Sequence, residues 1–500
     1  VSDPLEQDWD ALVIGAGMGG GIAARALAEG GMRVLILERG GAGRRTEETR
    51  IDLTTADPVA RAVRGLWPEP VETEEAAFHA PLGCGVGGSS VFYAATLERP
   101  EPDDLDGWPV SHAALRPFYE RAETWLAVEG EADPLSAEPP SPALRPPPPA
   151  TPEDAAILAR LRANGLHPYR LHAGLRRLPG CRECLGRKCP RPCKMDGRSA
   201  GVEPALATGR AALVTGAEVL ELTVEDRRVT GVRLQQGGTM RRLRARRVLL
   251  AAGALSTPRL LMASGLGGPA AGRHLMLHLN ETFAIWPGRN RPGAETGDGI
   301  SKGIGLRDLM RIGGERMGMV QAMGVALQEG EILHHLRRRL AERGWGASRL
   351  LHEGARLPAA MARRLLGRGQ VFVGLLEDPP LWENRVLPGR GIALRYRVDA
   401  ATEARRLVFR RAIRHGFRGL WPVFLHRAAQ PNWGHACGTA RMGTRAADSV
   451  ADAEGRVHGM ANLWIADASA FPTSLGVNPS LTIAALALRV ADRVLREDQS

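Results

Sequence analysis

Lysine is nearly absent from this 500-residue sequence: Lys188, Lys194 and Lys302 are the whole complement, and every other strong base is arginine. Basic residues outnumber acidic ones 66 to 55, for a formal charge of +11, yet aromatic residues make up only 5% of the chain. A nucleic-acid surface needs clustered bases with aromatics between them, so the arginines read as a basic solvated surface and no nucleic-acid partner is expected. Long apolar runs are missing as well, and without one no membrane-spanning helix is expected. Six cysteines are too few to staple a secreted fold of this length. No repeat of solenoid period is visible. The opening stretch from Val1 to Trp9 is polar and acidic, unlike a signal peptide. The cytoplasm is therefore the expected compartment, with the periplasm or a membrane-peripheral position as alternatives.

What is present is an ordinary globular composition, 44% apolar and 24% charged. The length exceeds what one hydrophobic core serves, so two domains are expected. The first chemical signal lies at the amino end. Asp10 to Val13 form a short apolar strand that runs into Gly15-Ala16-Gly17-Met18-Gly19-Gly20 and a helical stretch through Ala28. The next strand, Arg33 to Leu37, ends at Glu38. A G-x-G-x-x-G turn between strand and helix, followed by an acidic residue, is a dinucleotide-binding pattern. Gly15 permits the tight turn, Gly17 lets a pyrophosphate approach the backbone, and Gly20 lets helix and strand pack closely. The helix amino terminus offers unpaired N–H groups to the phosphates, and Glu38 can accept hydrogen bonds from the ribose hydroxyls. This unit alone does not choose between NAD and FAD.

Four later segments do. They are Gly85-Val86-Gly87-Gly88-Ser89-Ser90 with Val91-Phe92-Tyr93; Gly107-Trp108-Pro109 running to Pro117-Phe118-Tyr119-Glu120-Arg121-Ala122-Glu123; Val248 to Ala254 with Ser256-Thr257-Pro258; and His435-Ala436-Cys437-Gly438-Thr439-Ala440-Arg441-Met442-Gly443. After the last come Asn462 to Ser469 and Asn478-Pro479-Ser480-Leu481-Thr482. In this order they resemble the glucose–methanol–choline oxidoreductase family over nearly the whole chain, most weakly over residues 281–429. Tyr93 departs from the family, which often has asparagine there. The resemblance implies an α/β fold, with a Rossmann-like FAD-binding domain and an α+β substrate-binding domain. It places the FAD-binding domain in 1–99, 176–280 and 430–500, and the substrate-binding domain in 100–175 and 281–429. It assigns FAD contacts to Gly15, Ala16, Gly17, Met18, Gly19, Gly20, Glu38, Arg39, Gly87, Gly88, Ser89, Ser90, Val219, Ala252, Gly253, Asp467, Ala468, Asn478, Pro479 and Leu481.

The activity implied is oxidation of an alcohol by hydride transfer to flavin. A neutral imidazole suits removal of the hydroxyl proton, and His435 is the candidate base. Asn478 stands where the family carries histidine or asparagine, and would hold the substrate oxygen beside His435. It also reads as a helix N-cap before Pro479 and an amphipathic helix from Ser480 to Val494. His278 is expected to be structural. The serines sit in no G-x-S-x-G elbow, so a hydrolase is not expected. The electron acceptor is left open between oxygen, a quinone and a partner protein. The alternative function is a non-redox or photo-driven flavoenzyme on the same fold.

Two features stand outside this scheme. Cys181, Cys184, Cys189 and Cys193 have the spacing C-x2-C-x4-C-x3-C, compatible with an iron–sulfur cluster or other metal, with two disulfides, or with reduced thiols. From Glu331 to Gln370, leucines alternate with many arginines. Helices covering the substrate domain are the favoured reading there, with contact to a membrane surface or a partner subunit as the other.

Overall fold

A computed structural model of the chain describes residues 3–43, 69–286 (79, 81, 182 and 187 excepted), 303–327, parts of 332–366, and 369–499. The amino-terminal fingerprint folds as the spacing predicts: strand β1 (Ala11–Ile14), helix α1 (Met18–Glu29) and strand β2 (Val34–Glu38). Every side chain of both strands is buried, the mark of parallel strands covered on both faces. They sit side by side within a parallel sheet of five strands, in the order Leu463–Ile465, Val248–Leu250, β1, β2, Ala211–Thr215. Segments from the beginning, middle and end of the chain thus build one sheet. Its turns, including Gly15 and Gly253, gather at the carboxyl ends of the strands, where open α/β sheets bind ligands.

Helix α1 is packed through its glycines. A Cβ on Gly19 would lie 1.8 Å from the Ala466 carbonyl oxygen, one on Gly20 1.9 Å from that of Gly15, and one on Gly21 2.3 Å from that of Gly197. Three consecutive glycines therefore let backbone from three separate segments close on one turn of helix. Against α1 also packs the C-terminal helix Ser480–Gln499.

A second layer is an antiparallel sheet of seven strands. Its centre is Gly369–Glu377, flanked by Met276–Ile285 and Val320–Leu327. Strand Gln430–Cys437 pairs with the other edge of Met276–Ile285 and so brings His435 to this sheet. Behind the sheet lies its own core of Phe283, Phe372, Phe409, Phe417 and neighbouring aliphatic residues, separate from the core under the parallel sheet. The architecture is the expected one, a Rossmann-like unit joined to an α+β unit.

In the arginine- and leucine-rich stretch, Leu333 is buried with Ala355 and Ala359, while Leu351 and Leu357, on helices Arg349–Gly354 and Arg356–Leu366, are exposed. Glu331 and several other residues of that stretch lie outside the described residues. Among the described residues no helix is long and apolar enough to cross a membrane.

Candidate active site

Between the parallel and antiparallel sheets runs a cavity of about 1550 Å³. At one end it is walled by Gly15, Ala16, Gly17, Met18 and Gly19 of the first turn, Glu38 and Arg39 after β2, Gly88, Ser89 and Ser90, Val219, and Ala252 and Gly253. Asp467, Ala468, Asn478 and Pro479 close one side, and His435 lies toward the antiparallel sheet. Most of the residues expected to touch a flavin nucleotide thus converge on one space. Three do not line it. Gly20 lies behind the turn, packed on Gly15. Gly87 supports the next turn from αL backbone (φ 94°), its N–H donating to the Ala16 carbonyl. Leu481 is wholly buried in the core.

The walls fit a dinucleotide. At Gly17 a Cβ would meet nothing within 4 Å, so its backbone faces open space at the amino end of α1. Gly253 (φ 85°) is equally open. The Glu38 carboxylate accepts from the backbone N–H of Ala16 (2.9 Å), Gly40 (2.8 Å) and Gly85 (3.2 Å), tying the first turn to the glycine-rich loop at residue 85. Those bonds leave one lone pair, on Oε2, for a ribose hydroxyl, so Glu38 organises the wall as well as facing the cavity. Asp467 does the same at the other turn. One oxygen accepts from Gly253 N (2.8 Å) and Thr257 Oγ1 (2.6 Å), the other from Ser469 N (2.8 Å). Ser90 Oγ bridges two segments, donating to the Gly87 carbonyl and accepting from Gly197 N. Tyr93, where the family often carries asparagine, donates its hydroxyl to the Met195 carbonyl.

His435 is held by a residue that sequence reasoning assigned to structure alone. His278 Nδ1 lies 2.7 Å from His435 Nδ1, and His278 Nε2 lies 2.6 Å from the Leu475 carbonyl oxygen. A carbonyl only accepts, so His278 carries its proton on Nε2. Burial pushes the His278 pKa down to about 4, so near neutral pH its Nδ1 is a bare lone pair. His435 must then donate from Nδ1, which leaves its own Nε2 unprotonated. Burial, and secondarily His278, also hold His435 well below the usual histidine range. The pair fixes both the protonation state and the tautomer that a general base requires.

Asn478 differs from its expected cap geometry. The helix begins at Ser480, and the carbonyl accepting its first bond, from Ile483 N at 2.9 Å, belongs to Pro479. Asn478 Oδ1 is buried and has no hydrogen-bond partner among the described residues. A residue before proline is biased toward extended backbone, which moves the cap one residue on and turns the amide to the cavity.

The cysteine loop packs against the glycine–serine turn. Lys194 Nζ donates to the carbonyls of Val91 (2.8 Å) and Tyr93 (3.2 Å), and Leu185 and Gly186 reach the cavity wall. Cys184, Cys189 and Cys193 are buried and Cys181 half-buried in one cluster. A hydrogen bond from Cys184 holds Cys189 below the usual thiol range. Among the described residues no group of three or more His, Cys, Asp or Glu side chains is disposed to hold a metal ion. All four cysteines are free thiols in this structure.

Family models described as GMC oxidoreductase match residues 10–280 and 397–487, and one described as FAD binding domain matches residues 162–415. An uncharacterized GMC-type oxidoreductase of Mycobacterium tuberculosis is 30% identical over 97% of this chain and 76% of its own length. Paromamine 6'-oxidase of Streptomyces fradiae is 26% identical over 97% of this chain and 91% of its own. Among solved structures, pyridoxine 4-oxidase from Mesorbium loti superposes with a TM-score of 0.65 at 18% identity, covering 97% of this chain and 99% of that one.

Proposed function

The chain belongs to the glucose–methanol–choline family of FAD-dependent oxidoreductases, and from that premise we propose that it oxidises an alcohol CH–OH group with His435 as the base. The observation that carries this reading is the His278–His435 contact beside the cavity, which leaves His435 Nε2 as a bare lone pair. When bound, FAD supplies the acceptor for the hydride leaving the substrate carbon. His435 Nε2 takes the hydroxyl proton, and the Asn478 amide holds the substrate oxygen beside it. The amino end of helix Ser480–Gln499 lines the same space, and its dipole stabilises negative charge developing there. The relative named paromamine 6'-oxidase supports an oxidase-type reaction on a small molecule.

The test is anaerobic mixing of the FAD-loaded protein with a panel of alcohols while flavin absorbance is followed. Bleaching by at least one alcohol is expected; none by any would favour a non-redox or photo-driven reaction. The pH profile carries a further expectation. Because His435 is held below its ordinary value of 6.5, the rate of flavin reduction should stay level down to pH 6.5 and fall only beneath it. An acid limb centred above that value would contradict the assignment.

His278→Leu removes the acceptor for His435 Nδ1–H. Reduction should slow by about tenfold or more, because the His435 tautomer is no longer fixed, while the acid limb stays below 6.5, since burial, the larger cause of the lowered pKa, is kept. His278→Asn places an amide oxygen close to the lost Nδ1 and should restore much of the rate. A purely structural role would leave His278→Leu and His278→Asn equally slow.

A further inference from the structure

The wall of the cavity formed by the antiparallel sheet is mostly apolar: Met323, Val373 and Leu375 line it, with Trp433 from the neighbouring strand. Three amides interrupt it; Asn432 Oδ1 already accepts from Gly434 N (3.2 Å), which leaves Gln321 and Asn280. Gln321 stands opposite Val373 and Asn280 opposite Leu375 across the central strand Gly369–Glu377, so both lie on the face whose alternate residues form the wall. Gln321 is only 4% exposed. Gln321 Oε1 and Asn280 Oδ1 are both buried and have no hydrogen-bond partner among the described residues, and both residues line the cavity. Buried acceptors are nearly always satisfied, because leaving one without a donor is destabilising. Apolar side chains of similar size would fill these positions without that penalty, as they do one strand away. The two oxygens therefore await donors from whatever occupies the cavity.

The charge of those donors can also be read. Glu38, Arg39, Glu69, Glu218 and Asp467, all near the first turn and its neighbours, line the nucleotide end. Among the described residues the seven-stranded sheet contributes no Asp, Glu, Lys or Arg to the lining. A cationic group would find no carboxylate there, and an anionic one no arginine or lysine. Neutral hydroxyl groups match two amide oxygens on an apolar wall.

We propose that Gln321 and Asn280 are specificity-determining residues that accept hydrogen bonds from hydroxyls other than the one being oxidised, so that the substrate is a neutral polyhydroxylated alcohol. This rests on the alcohol-oxidising reading above and narrows it. The reacting hydroxyl gives its proton to His435, and the remaining hydroxyls donate to the wall, fixing which carbon faces the flavin.

Flavin reduction by n-propanol, propylene glycol, glycerol and sorbitol, compared in the FAD-loaded parent and in Gln321→Leu, tests this. In the parent, kcat/KM should rise along the series. In Gln321→Leu the preference for sorbitol over n-propanol should shrink by about tenfold or more, since a site built to pair a hydroxyl loses its selectivity with the acceptor. The free variant should melt at the same temperature as the parent or higher, because an unpaired acceptor has been exchanged for an apolar group of similar shape. Equal kcat/KM for all four alcohols in the parent overturns this inference alone. So does a variant in which all four fall together with the melting temperature, the behaviour of a structural glutamine. Bleaching by no alcohol, these or any other, overturns the alcohol-oxidising reading itself, and this inference with it.

Discussion

Replacing His435 by alanine should slow anaerobic flavin reduction by an alcohol by about 10²- to 10⁴-fold, the usual contribution of a positioned general base. The other histidine of the pair cannot take over. His278 has Nε2 committed to the Leu475 carbonyl and is buried away from the cavity, so the variant has no second imidazole at this place. FAD should remain bound, because the turns fitted to the nucleotide come from the parallel sheet, whereas His435 sits on a strand of the antiparallel one. The acid limb of the rate should vanish along with the rate, since the group that titrates has gone. Retained flavin with slow, pH-independent reduction is therefore the signature, read by stopped-flow absorbance. Reduction at the parent rate would remove His435 from the mechanism. A variant that loses its flavin would instead assign the residue to cofactor retention.

The nucleotide end of this cavity was legible because its chemistry is local. A strand, a glycine turn and a helix within thirty residues announce their geometry by spacing, and Gly15, Gly17 and Glu38 each do physical work that the pattern implies. The substrate end was legible only in part, because its contacts are made by strand pairing across long stretches of chain. His278 and His435 are 157 residues apart and meet because Met276–Ile285 lies antiparallel to Gln430–Cys437, with an irregular register that faces His278 with Asn432. One signal was present. In Met-Leu-His-Leu-Asn-Glu-Thr-Phe-Ala-Ile, the residues His278, Asn280 and Thr282 alternate along an otherwise largely apolar strand. A period-two polar row marks one face of the strand as unlike the core face, and on it Asn280 reaches the cavity and His278 reaches His435. The Asn478 cap was a case of a sound local rule losing to its neighbour: asparagine before proline reads as a cap, yet the proline itself shifted the helix start. The cysteine spacing was the least informative feature, since short loops allow several packings of four thiols and only three dimensions separate them.

Gly20→Ala should be severely destabilising, although helix propensity alone argues the reverse. In an unhindered helix interior, alanine is favoured over glycine by about 1 kcal/mol. At this position the new Cβ would stand 1.9 Å from the Gly15 carbonyl oxygen and 3.1 Å from the Ala251 Cβ. The first of these is backbone of the turn that faces the cofactor, so the clash cannot be relieved by a side chain swinging aside. Overpacking of this kind costs about 1–3 kcal/mol or more, enough to outweigh the propensity gain. The strain would also be relieved by displacing Gly15, the residue whose positive φ shapes the turn. The expected variant therefore melts several degrees lower and is purified with little flavin, although Gly20 does not line the cavity. Gly354→Ala is the matched control, because a Cβ there meets nothing within 4 Å and should leave stability unchanged or slightly raised. The comparison of melting temperature and flavin content separates close packing from the general effect of adding a methyl group. A Gly20→Ala protein that keeps both would mean that α1 rides away from the turn without cost, and that the glycine fingerprint here serves the phosphate alone.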